Sequence, residues 1–246
     1  MNYLYSIKII FLIGCIFSVA SMVHGVCGFG FGLLSVGLLT IIIGPTIAVP
    51  IVGVASLANC LYLGWLLRRE IMYREILLLT LLSLVFIPVG TLFLAGCDSR
   101  MVSMTLGIVI IFIVLLSLIN RKYLRLFALP WFKWFAAISS GILSGAFNIP
   151  GPPFILYAYN CGWSVKKAIA NLQFIFSVMA VVTIISLMLA GLLKVQTIVL
   201  GILYMPLIMV FTFAGARVSN RLSPGGIGVA INFVFILVGI ILITHR

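Results

Sequence analysis

Acidic residues are almost missing from this chain of 246 residues, which has three Asp and Glu side chains against 15 Lys and Arg and two His. All three acids, Glu70, Glu75 and Asp98, fall in connectors between hydrophobic runs. Metal sites and acid–base catalysis need clusters of carboxylates, histidines or cysteines, and the five cysteines show no CxxC or His-paired spacing. GILSG around Ser144 is not a nucleophile elbow. The sequence therefore predicts no metal, no cofactor and no enzyme.

Charge of either sign is scarce as well. Only 7% of the residues are charged and 64% are hydrophobic, whereas soluble domains are about 25% charged and about 45–50% apolar. The hydrophobic runs are long and do not alternate with polar residues, which excludes a barrel and indicates membrane-spanning helices. The net charge of +12 is scattered over short loops, as the positive-inside bias produces, and does not indicate nucleic-acid binding. We predict an all-α polytopic membrane protein.

Charges and Pro/Gly clusters divide the chain into about eight hydrophobic runs. The first run, Ile7–Ile43, is interrupted by glycines, and the fifth, Trp134–Tyr159, is interrupted by prolines. The connectors are short and leave no room for a soluble domain. The uninterrupted runs are Thr46–Leu67, Ile76–Ala95, Met101–Ile119, Ala168–Leu189, Val195–Ala216 and Ile227–Thr244.

The runs recur in the same order in two halves, residues 1–125 and 126–246. Gly25 in HGVCGFGFG pairs with Gly145 in SGAFNIPGPPF at an offset of 120. Each half has a broken run, a short turn, an uninterrupted helix, a helix with a mid-membrane proline (Pro88, Pro206) and a final apolar helix. We predict two pseudo-symmetric repeats. The first apolar segment is expected to be retained, since a cleaved signal peptide would remove part of one repeat.

Two membrane topologies remain open. If each broken run crosses the membrane once, the basic residues divide 10 to 5 between the two sides. If each broken run dips in and returns, they divide 4 to 11, and the two halves are inverted because each makes an odd number of crossings. The second division is more asymmetric, as the positive-inside bias favours. Inverted repeats with broken helices are a common transporter plan, in which the breaks form a central binding site.

The breaks themselves suit a small anion. Glycines allow a helix to stop and bring bare backbone close to a solute, and a helix N-terminus carries unpaired N–H groups and partial positive charge. We expect backbone N–H groups of residues 28–32 and 148–151 to bind the anion. Close packing of small residues is the alternative for any single glycine. The predicted binding residues at the breaks are Gly25, Gly28, Gly30, Gly32, Asn148, Pro150, Gly151 and Pro152.

Three polar side chains inside the runs are further candidates. His24 is the ionisable residue that falls well inside a run, where it would join a proton relay, contact an anion, or hydrogen-bond a carbonyl freed by the break. Asn171 and Gln173 are candidates to line a cavity near the second break, with interhelical hydrogen bonding as the alternative. Lys166 and Lys167 are interpreted as interfacial anchors.

The motifs GVCGFGFGLLSVGLL and SGAFNIPGPPFILYAYNCGW, in a chain with four helices in each half, resemble the TauE/SafE family of membrane anion exporters over nearly the whole chain. The resemblance implies export of small sulfur-containing anions such as sulfite or sulfoacetate, driven by the membrane potential or a proton gradient. Asn148 and Pro150 stand where the family commonly has glycine, and Ile169 stands where it often has arginine, which leaves open a different or larger anion. The family motifs correspond here to Gly25, Gly28, Gly30 and Gly32, and to Gly145, Gly151, Pro152 and Pro153.

We therefore predict a multi-pass secondary transporter of the cell membrane that exports small anions by alternating access. Its expected partners are a small anionic substrate and the lipid bilayer, with protons as candidate coupling ions. A passive anion channel and a non-transporting membrane scaffold are the alternative functions, and no oligomeric state is predicted.

Overall fold

The computed structural model describes residues 7–118, 131–219 and 224–244. The structure is 89% helical, and no strand occurs in those three ranges. Within those ranges, six helical spans are long and apolar enough to cross a membrane, and one of them, Val195–Val218, comprises two consecutive helices. The prediction of an all-α polytopic membrane protein is confirmed.

The α-helices begin and end close to the predicted runs, and each interrupted run consists of two helices. A short 3-10 helix, Arg68–Glu70, connects the third helix to the fourth. In chain order the helices are α1 (Ile7–Cys27), α2 (Phe31–Ile43), α3 (Pro45–Leu66), α4 (Tyr73–Gly96), α5 (Ser99–Leu118), α6 (Phe132–Phe147), α7 (Gly151–Asn160), α8 (Val165–Leu189), α9 (Val195–Leu203), α10 (Met205–Ser219) and α11 (Pro224–Thr244).

Two details of the predicted runs are wrong. Glu75 lies in the first turn of α4 rather than in a connector. The seventh run is not one helix, because it is interrupted at Tyr204 between α9 and α10. The second residue of α10 is Pro206, which has no N–H and would clash with the carbonyl four residues earlier in a continuous helix. Pro88, in contrast, lies inside the continuous helix α4.

The helices α3 and α8 form the interior of the protein. Of the candidate spans, α3 is the most buried, with 72% of its most apolar window inside the structure. It packs antiparallel to α8: Gly64, near the end of α3, lies beside Gln173, and Gly53 lies beside Leu187, near the end of α8. These two buried helices therefore cross side by side in opposite directions.

The outer helices pack in pairs around α3 and α8. In the first pair, α10 runs in the same direction as α1: Tyr204 Oη donates to Ile10 O over 2.6 Å near the start of both, and Gly25 meets Gly215 farther along. In the second pair, α6 runs in the same direction as α4. In the third pair, α11 runs antiparallel to α5, with Gly107 against Leu242.

Glycines allow two of these pairs to touch backbone to backbone. At the crossing of α1 and α10, a Cβ atom on either Gly25 or Gly215 would overlap backbone atoms of the other helix. At the crossing of α6 and α4, the same holds for Gly145 and Gly90. Small residues permit such close helix approach in membranes. Gly25 and Gly145 therefore occupy matching positions in two equivalent crossings.

The outer surface of the helices is apolar. Along α4, one face presents Leu78, Leu81, Val85, Val89 and Leu92, each more than half exposed. A continuous exposed stripe of this kind is unfavourable in water but suits contact with lipid chains. The buried sides of the helices, in contrast, carry most of the polar side chains that the next section describes.

Candidate functional site

The two helix breaks meet in the interior. Gly32, in the first turn of α2, lies against the backbone carbonyl of Asn148, in the break between α6 and α7. The residues around this contact are buried: Asn148 is 5% exposed and Phe31 is 1% exposed. One break comes from each half of the sequence, so this contact joins the two motifs that the sequence analysis singled out.

Both breaks begin with the same backbone conformation. Gly28 ends α1 with a φ of 77°, and Asn148 ends α6 with a φ of 54°. Their N–H groups close the preceding helix by donating to His24 O over 2.7 Å and to Ser144 O over 2.8 Å. Glycine adopts this left-handed region freely, and asparagine tolerates it better than most residues do. Asn148 is the one non-glycine residue with positive φ in the described ranges.

The N-terminus of α2 faces the buried side of the first break. The earliest helical bond there is Leu34 N–H to Gly30 O, at 3.0 Å. The N–H groups of Phe31, Gly32 and Leu33 therefore come before the first intrahelical hydrogen bond, as in any helix start. Gly30, with a φ of 105°, caps this end without a side chain. The arrangement presents three backbone donors and the positive end of the helix dipole.

Gln173 of α8 links the first break to His24. Its Nε2 donates to Gly28 O over 2.5 Å, and its Oε1 lies 3.3 Å from His24 Nε2. Because the bond to Gly28 O fixes which end of the amide is Nε2, the oxygen must accept from His24, so His24 Nε2 carries a proton. In a neutral imidazole, Nδ1 is then an acceptor, and this buried atom has no partner among the described residues. The structure thus brings the side chains of His24 and Gln173 into contact at the first break.

The second break is held by a polar side chain of α3. Asn148 Nδ2 donates to Ser56 Oγ over 3.1 Å, and Ser56 Oγ donates to Gly53 O over 2.9 Å. A second polar pair lies close by, where Ser144 Oγ is 2.9 Å from Thr183 Oγ1. The residues that end α1 and α6 are therefore held by different interior helices, Gly28 by α8 and Asn148 by α3, while Ser144, one turn before Asn148, also contacts α8.

Of the backbone N–H groups of residues 148–151, which we expect to bind an anion, most are already hydrogen-bonded within the structure or are missing. Asn148 N–H and Ile149 N–H donate to carbonyls of α6, at 2.8 and 3.2 Å. Pro150 has no N–H, and neither has Pro152, in the first turn of α7. Gly151 N–H is the donor that remains in this segment. The second break therefore offers fewer donors than the first.

The other predicted binding residues have distinct surroundings. Gly25 lies where α1 and α10 touch backbone to backbone, so close helix packing explains why this residue is glycine. Gly30 has room for a Cβ, 3.6 Å from Val23, but its φ disfavours any other residue. At Gly151 a Cβ would make only ordinary contacts, the nearest at 3.5 Å to Ile155.

Asn171 lies away from the breaks. Its Oδ1 accepts a hydrogen bond of 2.8 Å from the backbone N–H of Met72, at the start of α4. This contact matches the interhelical hydrogen bond considered for Asn171 as the alternative. Asn171 therefore does not contact the first break as Gln173 does, although a single residue separates the two in the chain.

Sequence reasoning did not single out the polar residues of α3. Ser56 and Asn59 lie three positions apart in an otherwise apolar helix, and both are buried, at 7% and 0% exposure. That spacing places them on one helix face. A search for polar residues at helical spacing inside the most apolar runs would have found them.

A cavity of about 320 Å³ opens between α4 and α8. Its lining is largely apolar and includes Leu92 and Leu189, both strongly exposed. It contains none of the predicted binding residues and lies on the lipid-facing side. The contact of the two breaks is therefore the better candidate for the functional site.

A sequence comparison identifies the family. The model of the family described as "Sulfite exporter TauE/SafE" matches residues 11–242, nearly the whole chain. No curated protein and no solved structure matches. Members of this family are transporters rather than enzymes, and membership implies a multi-pass membrane exporter of sulfite or a related anion. With its broken helices, its apolar spans and this match, the chain belongs to the sulfite exporter TauE/SafE family.

Proposed function

We propose that the protein is a secondary transporter of the cell membrane that exports small anions, sulfite or a related organosulfur or organic anion, by alternating access. The contact between Gly32 and Asn148, which joins the two helix breaks in the buried interior, carries this proposal. Discontinuous helices that meet near the midplane form the substrate sites of many secondary transporters. The family membership supports the anion class.

Residues 1–125 and 126–246 are proposed to be inverted repeats. Three helix boundaries around the breaks recur at the predicted offset of 120: α1 and α6 end at Cys27 and Phe147, α2 and α7 begin at Phe31 and Gly151, and α3 and α8 begin 120 residues apart as well. The corresponding helices α3 and α8 are antiparallel, as are α5 and α11. Antiparallel counterparts are expected for repeats related by an axis in the membrane plane, and not by an axis along its normal.

The direction of the helices also favours broken runs that dip in and return. The helix α10 runs parallel to α1, and together with α9 it also runs parallel to α3, because Gly201 of α9 and Thr212 of α10 lie beside Val54 and Asn59 in the same order. If α1 and α3 point the same way, α2 must carry the chain back between them. This topology places eleven basic residues on the side of the α3–α4 connector, which is then the cytoplasmic side.

In the proposed mechanism the anion binds at the first break. The N–H groups of Phe31, Gly32 and Leu33 supply hydrogen bonds, and the dipole of α2 supplies partial positive charge. Gln173 shapes the opposite side by holding Gly28 O. His24 Nδ1 accepts a hydrogen bond while neutral and donates one when protonated, so proton binding there would favour an anion. This links the candidate coupling proton to the substrate.

Alternating access requires that the contact between the breaks open toward one side at a time. In the present conformation His24, Gln173 and Asn148 are at most 5% exposed, so the breaks are closed on both sides. Ties from each break to a different interior helix provide a means of separating them. Movement of α3 against α8 would draw Asn148, held by Ser56, away from Gly28, held by Gln173.

Flux measurements with the purified protein test the function. Proteoliposomes would be loaded with labelled sulfite, sulfonates or small carboxylates under an imposed pH gradient or potential. Saturable flux that responds to the gradient is expected, and Gly30→Leu and Gly151→Leu are expected to abolish it while the protein still inserts. Flux without saturation would indicate a channel, and no flux of any tested anion by folded protein would favour a scaffold.

Native cysteines test the topology. If the broken runs return, Cys97 and Cys161 lie on opposite sides of the membrane, whereas single crossings place them on the same side. Cys161 is exposed and Cys97 is half-buried. In variants that retain one of the two cysteines, we expect a membrane-impermeant maleimide to label Cys97 from outside intact cells and Cys161 only after lysis. Labelling of both from one side would refute the inverted arrangement.

A further inference from the structure

The junction of α1, α3 and α10 contains polar side chains that the mechanism above does not use. Asn59 of α3 and Thr212 of α10 are fully buried, and Thr212 Oγ1 is hydrogen-bonded to Asn59 Oδ1. Ser21 is also fully buried and lies on α1 one turn before Gly25, whose backbone contacts the carbonyl of Thr212. We call Ser21, Asn59 and Thr212 the polar junction.

The polar junction has unused hydrogen-bonding capacity. Asn59 Nδ2 and Ser21 Oγ are both buried without a hydrogen-bond partner among the described residues. A buried polar group without a partner costs roughly 1–3 kcal/mol, so such groups call for an explanation. Two of them, both able to donate, lie on neighbouring helices of this junction, so one ligand that accepts hydrogen bonds would satisfy both.

The second half of the chain shows that packing does not require these residues. Gly145 contacts the carbonyl of Ile87 as Gly25 contacts that of Thr212, so Ile87 is the counterpart of Thr212. At the offset of 120, the counterpart of Asn59 is Met179. Both counterparts are fully buried and apolar.

The counterpart of Ser21 at the same offset is Gly141, which likewise has no polar side chain. The same three helix positions are therefore filled by apolar residues at the equivalent junction, which packs as closely. The neighbouring Ser140 of α6 is itself buried without a hydrogen-bond partner among the described residues. The contrast between the two junctions therefore lies in Asn59 and Thr212, whose polar pair helix packing alone does not explain.

We propose that the polar junction is a binding station for the transported anion, with Asn59 Nδ2 and Ser21 Oγ donating hydrogen bonds to its oxygen atoms. The ligand class is a small oxyanion such as sulfite or a sulfonate, because both free groups donate and no acidic residue lies in the described part of these three helices. The junction adjoins the first break, since Gly25 and His24 are consecutive. The proposal rests on anion transport and confines the anion's path to the α1–α3–α10 side of the protein.

The variant Asn59→Met tests this by copying the residue of the equivalent junction. Sulfite and methanesulfonate binding to the purified full chain would be measured by titration, alongside flux in proteoliposomes and thermal unfolding. We expect Asn59→Met to unfold near the wild-type temperature, since it removes the unpartnered Nδ2 but also leaves Thr212 Oγ1 without its partner, and to bind sulfite about tenfold or more weakly. Met179→Leu is the matched control in the other half and should leave binding unchanged.

The outcomes separate this proposal from the proposed function. Wild-type affinity for both anions in Asn59→Met would overturn the binding station and leave transport standing. If the wild-type protein binds the anions but shows no flux, transport is refuted. The affinity of Asn59→Met then still tests whether the polar junction binds the anion. Ser21→Ala is a second variant, which changes the side-chain volume only slightly. If it binds the anions with wild-type affinity but unfolds at a lower temperature, the polar junction has a structural role only. Failure of the wild-type protein to bind either anion would overturn the station for this ligand class.

Discussion

The contact between the two breaks makes a sharp prediction for Gly32→Ala. A Cβ atom on residue 32 would lie 2.3 Å from Asn148 O, and real Cβ atoms essentially never approach closer than 3.0 Å. The two breaks must therefore separate by about 0.7 Å, the difference between these distances. Both partners are fixed by the backbone, so no side-chain rotation relieves the overlap. Overpacking of this kind typically costs about 1–3 kcal/mol of folding free energy.

The effect on transport should exceed the effect on stability. Misplacing a binding group by about 1 Å can lower the rate of an enzyme about 100-fold, so we expect the initial rate of sulfite flux to fall at least tenfold. The measurement is flux in proteoliposomes together with thermal unfolding of the same preparation. Gly96→Ala, at the end of α4, is the control, because its Cβ would meet no atom within 4 Å, and it should retain wild-type flux. Wild-type flux in Gly32→Ala would refute the idea that the breaks must stay in contact.

Three further variants probe the same site. Gln173→Leu leaves Gly28 O and His24 Nε2 unpaired, and it should lower the free energy of unfolding by about 1–3 kcal/mol and reduce flux, as denaturation and flux assays would show. Asn148→Ala should be less stable than Asn148→Gly by about 1–2 kcal/mol, because alanine is strained at a positive φ; equal melting temperatures would contradict this. Gly28→Ala brings a Cβ to 2.8 Å from Ile169 Cγ1, so adding Ile169→Ala should restore part of the lost stability in a double-mutant cycle, while the strain at φ 77° remains.

The helices and their breaks could be predicted from the sequence because their causes are local. Glycine permits the left-handed backbone at residue 28, which ends α1, and at residue 30, which precedes α2, and the prolines at 150, 152 and 153 cannot continue α6. The same reasoning located the offset of 120, which the boundaries of α2 and α7 reproduce. The interruption at Tyr204 was not predicted, because a single proline is compatible both with a continuous helix, as at Pro88, and with a break.

Which side of each helix faces the protein interior could not be predicted in the same way. In a soluble protein the apolar stripe of a helix marks its buried side, but here lipid and interior are both apolar, so periodicity does not separate them. Asn171 and Gln173 illustrate the consequence, since one contacts Met72 and the other contacts Gly28. Which of two polar neighbours reaches a break depends on the direction and crossing of α8, and no local pattern records it.

The two breaks are alike in backbone and unlike in chemistry. Gly28 and Asn148 end their helices with the same left-handed turn. After it, α2 begins with three residues that each have an N–H, whereas α7 begins with Gly151 and two prolines and offers one. Proline also fixes φ, so the start of α7 is the stiffer of the two. In the proposed mechanism the first break therefore binds the anion and the second forms a rigid wall against it. The polar junction lies on the side of the first break, so in the proposed mechanism the groups that contact the anion come together there, from helices of both halves of the chain.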